Sequence, residues 1–222
     1  MSEESNVDIE DIPIEIGNTI KVTNSKQQIY VAWDIESSGP GFQHPVVAVG
    51  VCYGTISAYR KKRWYLDFDT KDFDATCYEE FWSKNLDLLN NIKKDAVPQE
   101  QGWKSISTFL TELEQQHPKS RIVVCSDNPA FDLTLMDYNL YKYCNRLGVR
   151  YSDKGKYRQV MDPTEQRRFH PQKDLLKKRL YESGARHTHN PDDDAEGIYM
   201  QQVMLESPKI LNGEKNFPKL LE

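Results

Sequence analysis

An α/β domain, built as a mixed sheet flanked by helices, is the fold class this sequence predicts, and three observations predict it. Short apolar runs rich in β-branched residues alternate with longer stretches whose apolar residues recur every three or four positions. Three strand-like runs come early and close together, and a fourth follows only after two helical stretches. The length of 222 residues suits one domain with a substantial core.

The elements follow in order. Residues 1 to 27 are acidic and weakly patterned, with Ile12, Ile14, Ile16, Ile20 and Val22 at even spacing, and read as an arm or a short strand. Ile29-Tyr30-Val31-Ala32-Trp33 is a strand ending on Asp34. Pro45 to Tyr53 is a second, buried strand, and Arg63 to Phe68 alternates well enough for a third. The turn Gly39-Pro40-Gly41 between the first two strands suggests an antiparallel meander. Residues 76 to 95 and 100 to 117 read as helices, the latter with Trp103, Ile106, Phe109, Leu110 and Leu113 on one stripe. Arg121 to Cys125 is the fourth strand, followed by a helix through about residue 145. Helices near 172 to 183 and from Pro191 to Leu205 complete the domain, 28–206, and residues 207 to 222 read as a loose tail.

Composition narrows the class. Apolar residues make up 38% of the chain and charged residues 28%, as in a globular soluble protein. No run approaches the roughly 20 apolar residues of a membrane span, and Met1 to Ser5 lacks the basic flank and apolar stretch of a signal peptide. Cys52, Cys77, Cys125 and Cys144 are widely spaced with no Cys-x-x-Cys, which predicts free thiols in a reducing intracellular compartment, cytoplasm or nucleus. The net charge of −5 runs against wide phosphate contact, yet a site for a strand end needs only a local basic patch.

Asp-x-Glu occurs three times, so the pattern alone means little: Asp8-Ile9-Glu10, Asp34-Ile35-Glu36 and Asp194-Ala195-Glu196. The first lies in the polar arm and reads as solvated charge. Asp34 and Glu36 end a strand on one face, where two like charges are costly unless both meet a cation. An edge strand running into solvent is the plain alternative. Asp132 follows a buried strand and fits either a site or the first turn of a helix, with Asp127 as cap and Pro129 at the first helical position. In His189-Asn190-Pro191-Asp192-Asp193-Asp194-Ala195, Asn190 and Pro191 suit a helix start and the aspartates suit its positive end. His187 and Asp192 have the same separation as His189 and Asp194, and periodicity does not choose between the pairs.

Asp34-Ile35-Glu36-Ser37-Ser38-Gly39 resembles the first motif of the DEDD exonucleases, Asp-x-Glu-Thr-Thr-Gly. Asn128-Pro129-Ala130-Phe131-Asp132 is similar to the second, Asn-x-x-Phe-Asp, and the His189 segment resembles the third motif of the histidine subclass, DEDDh. Aligning the terminal Asp-Asp-Ala selects His189 and Asp194. Ser37 and Ser38 stand where threonines are usual, Pro191 and Asp192 replace small and apolar residues, and the stretch between the third and fourth strands is long. The resemblance implies an RNase H-like fold with a mixed five-stranded sheet. It implies a 3′→5′ exonuclease that frees nucleoside 5′-monophosphates from DNA or RNA, acting on single-stranded 3′ ends. It further implies two Mg²⁺ or Mn²⁺ ions held by Asp34, Glu36, Asp132 and Asp194, with His189 as general base. Substrate contacts are expected at Ser37, Ser38, Asn128 and Phe131, and a homodimer is known among relatives. Two basic stretches are candidate strand guides: Arg60 to Arg63, and Lys154 to Arg179 with interleaved aromatics. Rival readings are an RNase H-like endonuclease and a non-catalytic interaction domain for nucleic acid or an unidentified protein.

Overall fold

The computed structural model describes residues 28–146, 148 and 159–221. The expected arm, with its Asp8-Ile9-Glu10, lies outside the described residues, as do Lys154, Lys156 and Arg158. Strands β1 (Gln28–Ser37), β2 (Val46–Gly54) and β3 (Ala58–Tyr65) form the expected antiparallel meander. β4 (Arg121–Cys125) joins the free edge of β1 in parallel, and β5 (Gln159–Met161) runs parallel to β4. β6 (Lys219–Leu220) pairs with β3 in parallel at the far edge. The order β5-β4-β1-β2-β3-β6 gives six strands among the described residues where five were expected.

The helices are α1 (Ala75–Glu80), α2 (Leu86–Asp95), α3 (Gln99–Gln116), α4 (Asp132–Cys144), α5 (Pro163–Phe169), α6 (Lys173–Glu182), α7 (Pro191–Glu206) and α8 (Pro208–Leu211). β1 is covered on both faces, which is why it reads as a continuous apolar run. Val31, Trp33 and Ile35 point into a core with Ile106, Phe109 and Leu110 of α3 and Leu133, Met136 and Leu140 of α4. Tyr30 and Ala32 point the other way, toward Ile198, Tyr199 and Val203 of α7. Asp34 and Glu36 continue this second row by alternation.

Several expectations need correction. The single helix expected over 76–95 is broken into α1, a 3-10 turn at Trp82–Lys84, and α2. Trp82 is fully buried against Val47 and Ala48, and its indole N–H donates to the Ser37 carbonyl at 3.0 Å. Inserting that ring into the sheet takes the chain out of helical register. The third strand starts at Ala58 and takes in Arg60 to Arg63, of which Lys61 and Arg63 find partners on the helix above it. β5 and α5 had no clear sequence signal. α4 begins at Asp132; Pro129 sits in the preceding turn, where the Asn128 carbonyl accepts from the N–H groups of Phe131 and Asp132. Residues 207–221 are no loose tail: α8 buries Ile210 and Leu211, and β6 extends the sheet. A four-residue helix carries too little periodicity to be read in advance.

Gly50 decides how closely α7 approaches. It pairs with Asp34 on one side and Arg63 on the other, and a Cβ there would lie 2.0 Å from the Pro191 carbonyl carbon. The N-terminus of α7 thus rests directly on the row Asp34, Gly50, Arg63. Gly50→Ala forces backbone apart, and we expect a loss of about 1–3 kcal/mol. At about 2–4 °C per kcal/mol for this size, thermal unfolding should move down by roughly 5 °C. An unchanged melting curve would contradict the close contact.

Candidate active site

β4 stops pairing at Cys125, opposite Ala32, so the last residues of β1 run beyond it. The turn after β4 fills that space and carries Asp132 at the start of α4. Its carboxylate is buried and accepts from Ser126 Oγ at 2.5 Å, and the Asn128 N–H in turn donates to Ser126 Oγ at 3.0 Å.

Asp194 reaches the same place from the opposite helix. Asn190 takes the N-cap position of α7 and Pro191 the first helical position, as their residue types favour. Asp194 Oδ1 accepts from the Thr188 N–H at 2.8 Å, and Oδ2 accepts from the His189 N–H at 3.0 Å. The two neighbouring aspartates turn away from it. Lys61 Nζ meets Asp193 at 2.7 Å and Glu196 at 2.9 Å, while Arg63 meets Asp192 at 3.4 Å. The ambiguity between Asp192 and Asp194 is thereby resolved in space: Asp194 joins Asp34 and Glu36, and Asp192 faces β3.

Carboxylate oxygens of Asp34, Glu36 and Asp194 all lie within 4.8 Å of one another. Asp132 lies outside this trio, yet its charge raises the pKa of both Asp34 and Glu36. Burial is the larger cause throughout. It pushes Asp34 well above the usual carboxylate range, Glu36 up to about 8, and Asp132 up to about 7 against the pull of Ser126. Asp194 is raised by burial too, opposed by its backbone donors and His187. Asp34 Oδ2 is buried with no hydrogen-bond partner among the described residues. An orphaned oxygen within an all-carboxylate donor set fits a hard divalent cation such as Mg²⁺ or Mn²⁺.

His189 is half-buried beside this cluster, with φ of 61° in the left-handed region. Its ring stands edge-on to Phe81 at 4.9 Å and to His187 at 4.3 Å. Burial, and next the His187 charge, lower its pKa, with Asp194 opposing, so the imidazole stays neutral and able to accept a proton near neutral pH.

The four expected substrate contacts are placed unevenly. The buried Ser37 hydroxyl donates to the Gly39 carbonyl at 2.6 Å, and the buried Ser38 hydroxyl is turned toward the Asp72 carbonyl at 3.5 Å. Both hydroxyls serve local structure, leaving backbone as what this turn can offer a ligand. Phe131 is half-buried against the core, and Asn128 is exposed. Of the basic stretches, Lys61 and Arg63 are engaged with α7, and Lys62 lies over Trp64 at 5.0 Å. Two of its four cations are thus bound to the helix, while Arg60, Lys62 and Arg63 remain exposed. In the other stretch, Arg168 pairs with Glu165 at 2.9 Å and Arg179 with Glu182 at 2.5 Å. Sequence reading missed Gly50, Phe81 and Trp82, and took Lys61 only as part of a basic stretch. A lone glycine in a β-branched run signals close backbone approach and marked the first; the others have no local signature.

No family profile matches the chain, and no curated protein matches it in sequence. Among solved structures, a zinc-bound complex of E. coli exonuclease I with single-stranded DNA superposes at TM-score 0.50 and 12% identity, covering 85% of this chain and 43% of that one. A product-bound exonuclease I aligns at TM-score 0.49 and 10% identity, covering 85% of this chain and 46% of that one. The chain therefore spans less than half the length of these neighbours. The first likeness is one of fold: the chain has a mixed α/β architecture, a six-stranded sheet flanked by helices, consistent with the RNase H-like fold.

The raised carboxylates have a consequence for stability. Glu36 and Asp132 hold protons in the folded protein at pH values where the unfolded chain has released them. Metal-free stability therefore falls as pH rises from about 4 to 8 through the unfolded and then the folded pKa values. Calorimetry in chelator should show a lower Tm at pH 8 than at pH 5, by several degrees. Mn²⁺ should recover more at pH 8 than at pH 5. Equal recovery at both would show that cations do not replace those protons.

Proposed function

We propose that this chain is a metal-dependent nuclease of the DEDDh type, a 3′→5′ exonuclease releasing nucleoside 5′-monophosphates from DNA or RNA. The observation that carries this reading is the convergence of Asp34, Glu36 and Asp194 around an unpartnered buried oxygen, with Asp132 and His189 beside them. The E. coli neighbour in complex with single-stranded DNA supports a nucleic-acid substrate, and single-stranded 3′ ends are the class we assign. All four cysteines are free thiols, in keeping with an intracellular reducing compartment. No helix among the described residues is long and apolar enough to cross a membrane.

Asp34, Glu36, Asp132 and Asp194 would hold two Mg²⁺ or Mn²⁺ ions, which supply Lewis-acid stabilisation of the phosphate and a more acidic bound water. The protein's part is positioning and proton transfer. Backbone N–H groups of Thr188 and His189 hold Asp194 at fixed orientation, and Ser126 holds Asp132. The neutral His189 imidazole takes the proton of the attacking water. Phe81 packs against that ring and limits its rotation. The terminal nucleotide would meet the backbone at Ser37 and Ser38, with Asn128 and Phe131 flanking it.

An assay with end-labelled single- and double-stranded RNA and DNA tests the reading. Wild type with Mn²⁺ should give a ladder shortening from the 3′ end, and EDTA should stop it. His189→Ala should lose about 10²–10⁴-fold in kcat while still taking up Mn²⁺. Asp34→Ala should lose both activity and metal uptake. Internal cuts in a circular strand would point to an endonuclease instead. No hydrolysis together with no Mn²⁺ uptake would leave a non-catalytic domain.

A further inference from the structure

We propose that His187, His189 and Asp194 form a second metal site, suited to a divalent transition ion of the zinc class and separate from the all-carboxylate cluster with which it shares Asp194. One donor atom from each of the three residues lies within 4.8 Å of the others. His187 Nδ1 and Asp194 Oδ2 are 3.0 Å apart. Tetrahedral zinc with bonds of about 2.0–2.1 Å places neighbouring donors about 3.4 Å apart, close to the His187–Asp194 separation. The two imidazole rings stand at 75° to each other with centroids 4.3 Å apart; two imidazoles on one tetrahedral ion sit about 5 Å apart, so binding would swing the exposed His187 ring outward.

The donor chemistry separates the two sites. Two imidazoles and one carboxylate with an open fourth position are a zinc-type set, whereas Mg²⁺ keeps to oxygen. Asp34, Glu36 and Asp194 offer oxygen alone. The histidine site is also largely preformed. Asp194 is held by two backbone donors, and His189 by its left-handed backbone and by Phe81. Only His187 is free to move: its side chain is 72% exposed against 4% for Asp194, and that exposure opens the site to solvent. A bare ion pair explains the 3.0 Å contact but not the placement of the second ring, and at such exposure it contributes little.

An ion at this site would occupy the nitrogen of His189 and a share of Asp194. Zn²⁺ would therefore silence Mg²⁺-dependent hydrolysis, a consequence that rests on the nuclease reading. Binding itself does not.

The test uses the full chain, stripped of metal and then saturated with Mg²⁺. Zn²⁺ is titrated by calorimetry, and Co²⁺ serves as a visible-absorption probe of coordination. We expect one equivalent of either ion, with Co²⁺ bands of a four- or five-coordinate nitrogen–oxygen site. His187→Ala should weaken Zn²⁺ binding tenfold or more and flatten the Co²⁺ spectrum, while Glu36→Gln preserves both. Unchanged Zn²⁺ affinity in His187→Ala would overturn the proposal, as would equal loss in Glu36→Gln, which would put the ion among the carboxylates. In an activity arm, His187→Ala should need at least tenfold more Zn²⁺ for half-inhibition. Zinc binding intact but no hydrolysis by wild type would sink the nuclease reading and leave this site standing.

Discussion

Four carboxylates crowded at one end of β1 repel one another, and the rest of the structure is arranged to hold them there. Burial of Asp34, Glu36, Asp132 and Asp194 removes the water that would otherwise screen their charges. Within the protein, only protons and a few donors relieve the repulsion. The Ser126 hydroxyl serves Asp132, and the Thr188 and His189 N–H groups serve Asp194. Asp34 keeps one oxygen with no such donor among the described residues. A cation is the group that would satisfy all four together.

Bringing the fourth carboxylate in depends on an unequal division of charge along α7. Its first turn carries Asp192, Asp193 and Asp194, all of which suit the positive end of a helix. β3 takes the first two through Arg63 and Lys61, and the third is left facing Asp34 and Glu36. Gly50 makes this possible, since any side chain there would occupy the place of the Pro191 backbone. Lys61 and Arg63 on β3 thus clamp the first turn of α7.

The long connection between β3 and β4 closes the opposite side. Trp82 anchors it beneath the end of β1 through the Ser37 carbonyl, and its neighbour Phe81 lies against the His189 ring. A single turn of chain therefore touches both the strand that bears the first carboxylates and the histidine from the far end of the sequence.

The sequence by itself determined the alternation of strands and helices, the burial of β2, and the placing of Asp34 and Glu36 on one side of β1. Those features depend on periods of two and 3.6 residues, which local order carries in full. It also marked the start of α7 through Asn190 and Pro191, and the resemblance of its motifs pointed to Asp132, His189 and Asp194. Tertiary structure alone decided that Asp192 and Asp193 turn to Arg63 and Lys61 on β3, that the serine hydroxyls turn inward, and that Arg60 to Arg63 belong to a strand. It also decided the break at Trp82 and the docking of α8 and β6. Each of these turns on partners distant in the chain, Lys61 with Asp193 or Trp82 with Ser37, and charge or burial supplied from far along the sequence leaves no periodic trace where it acts.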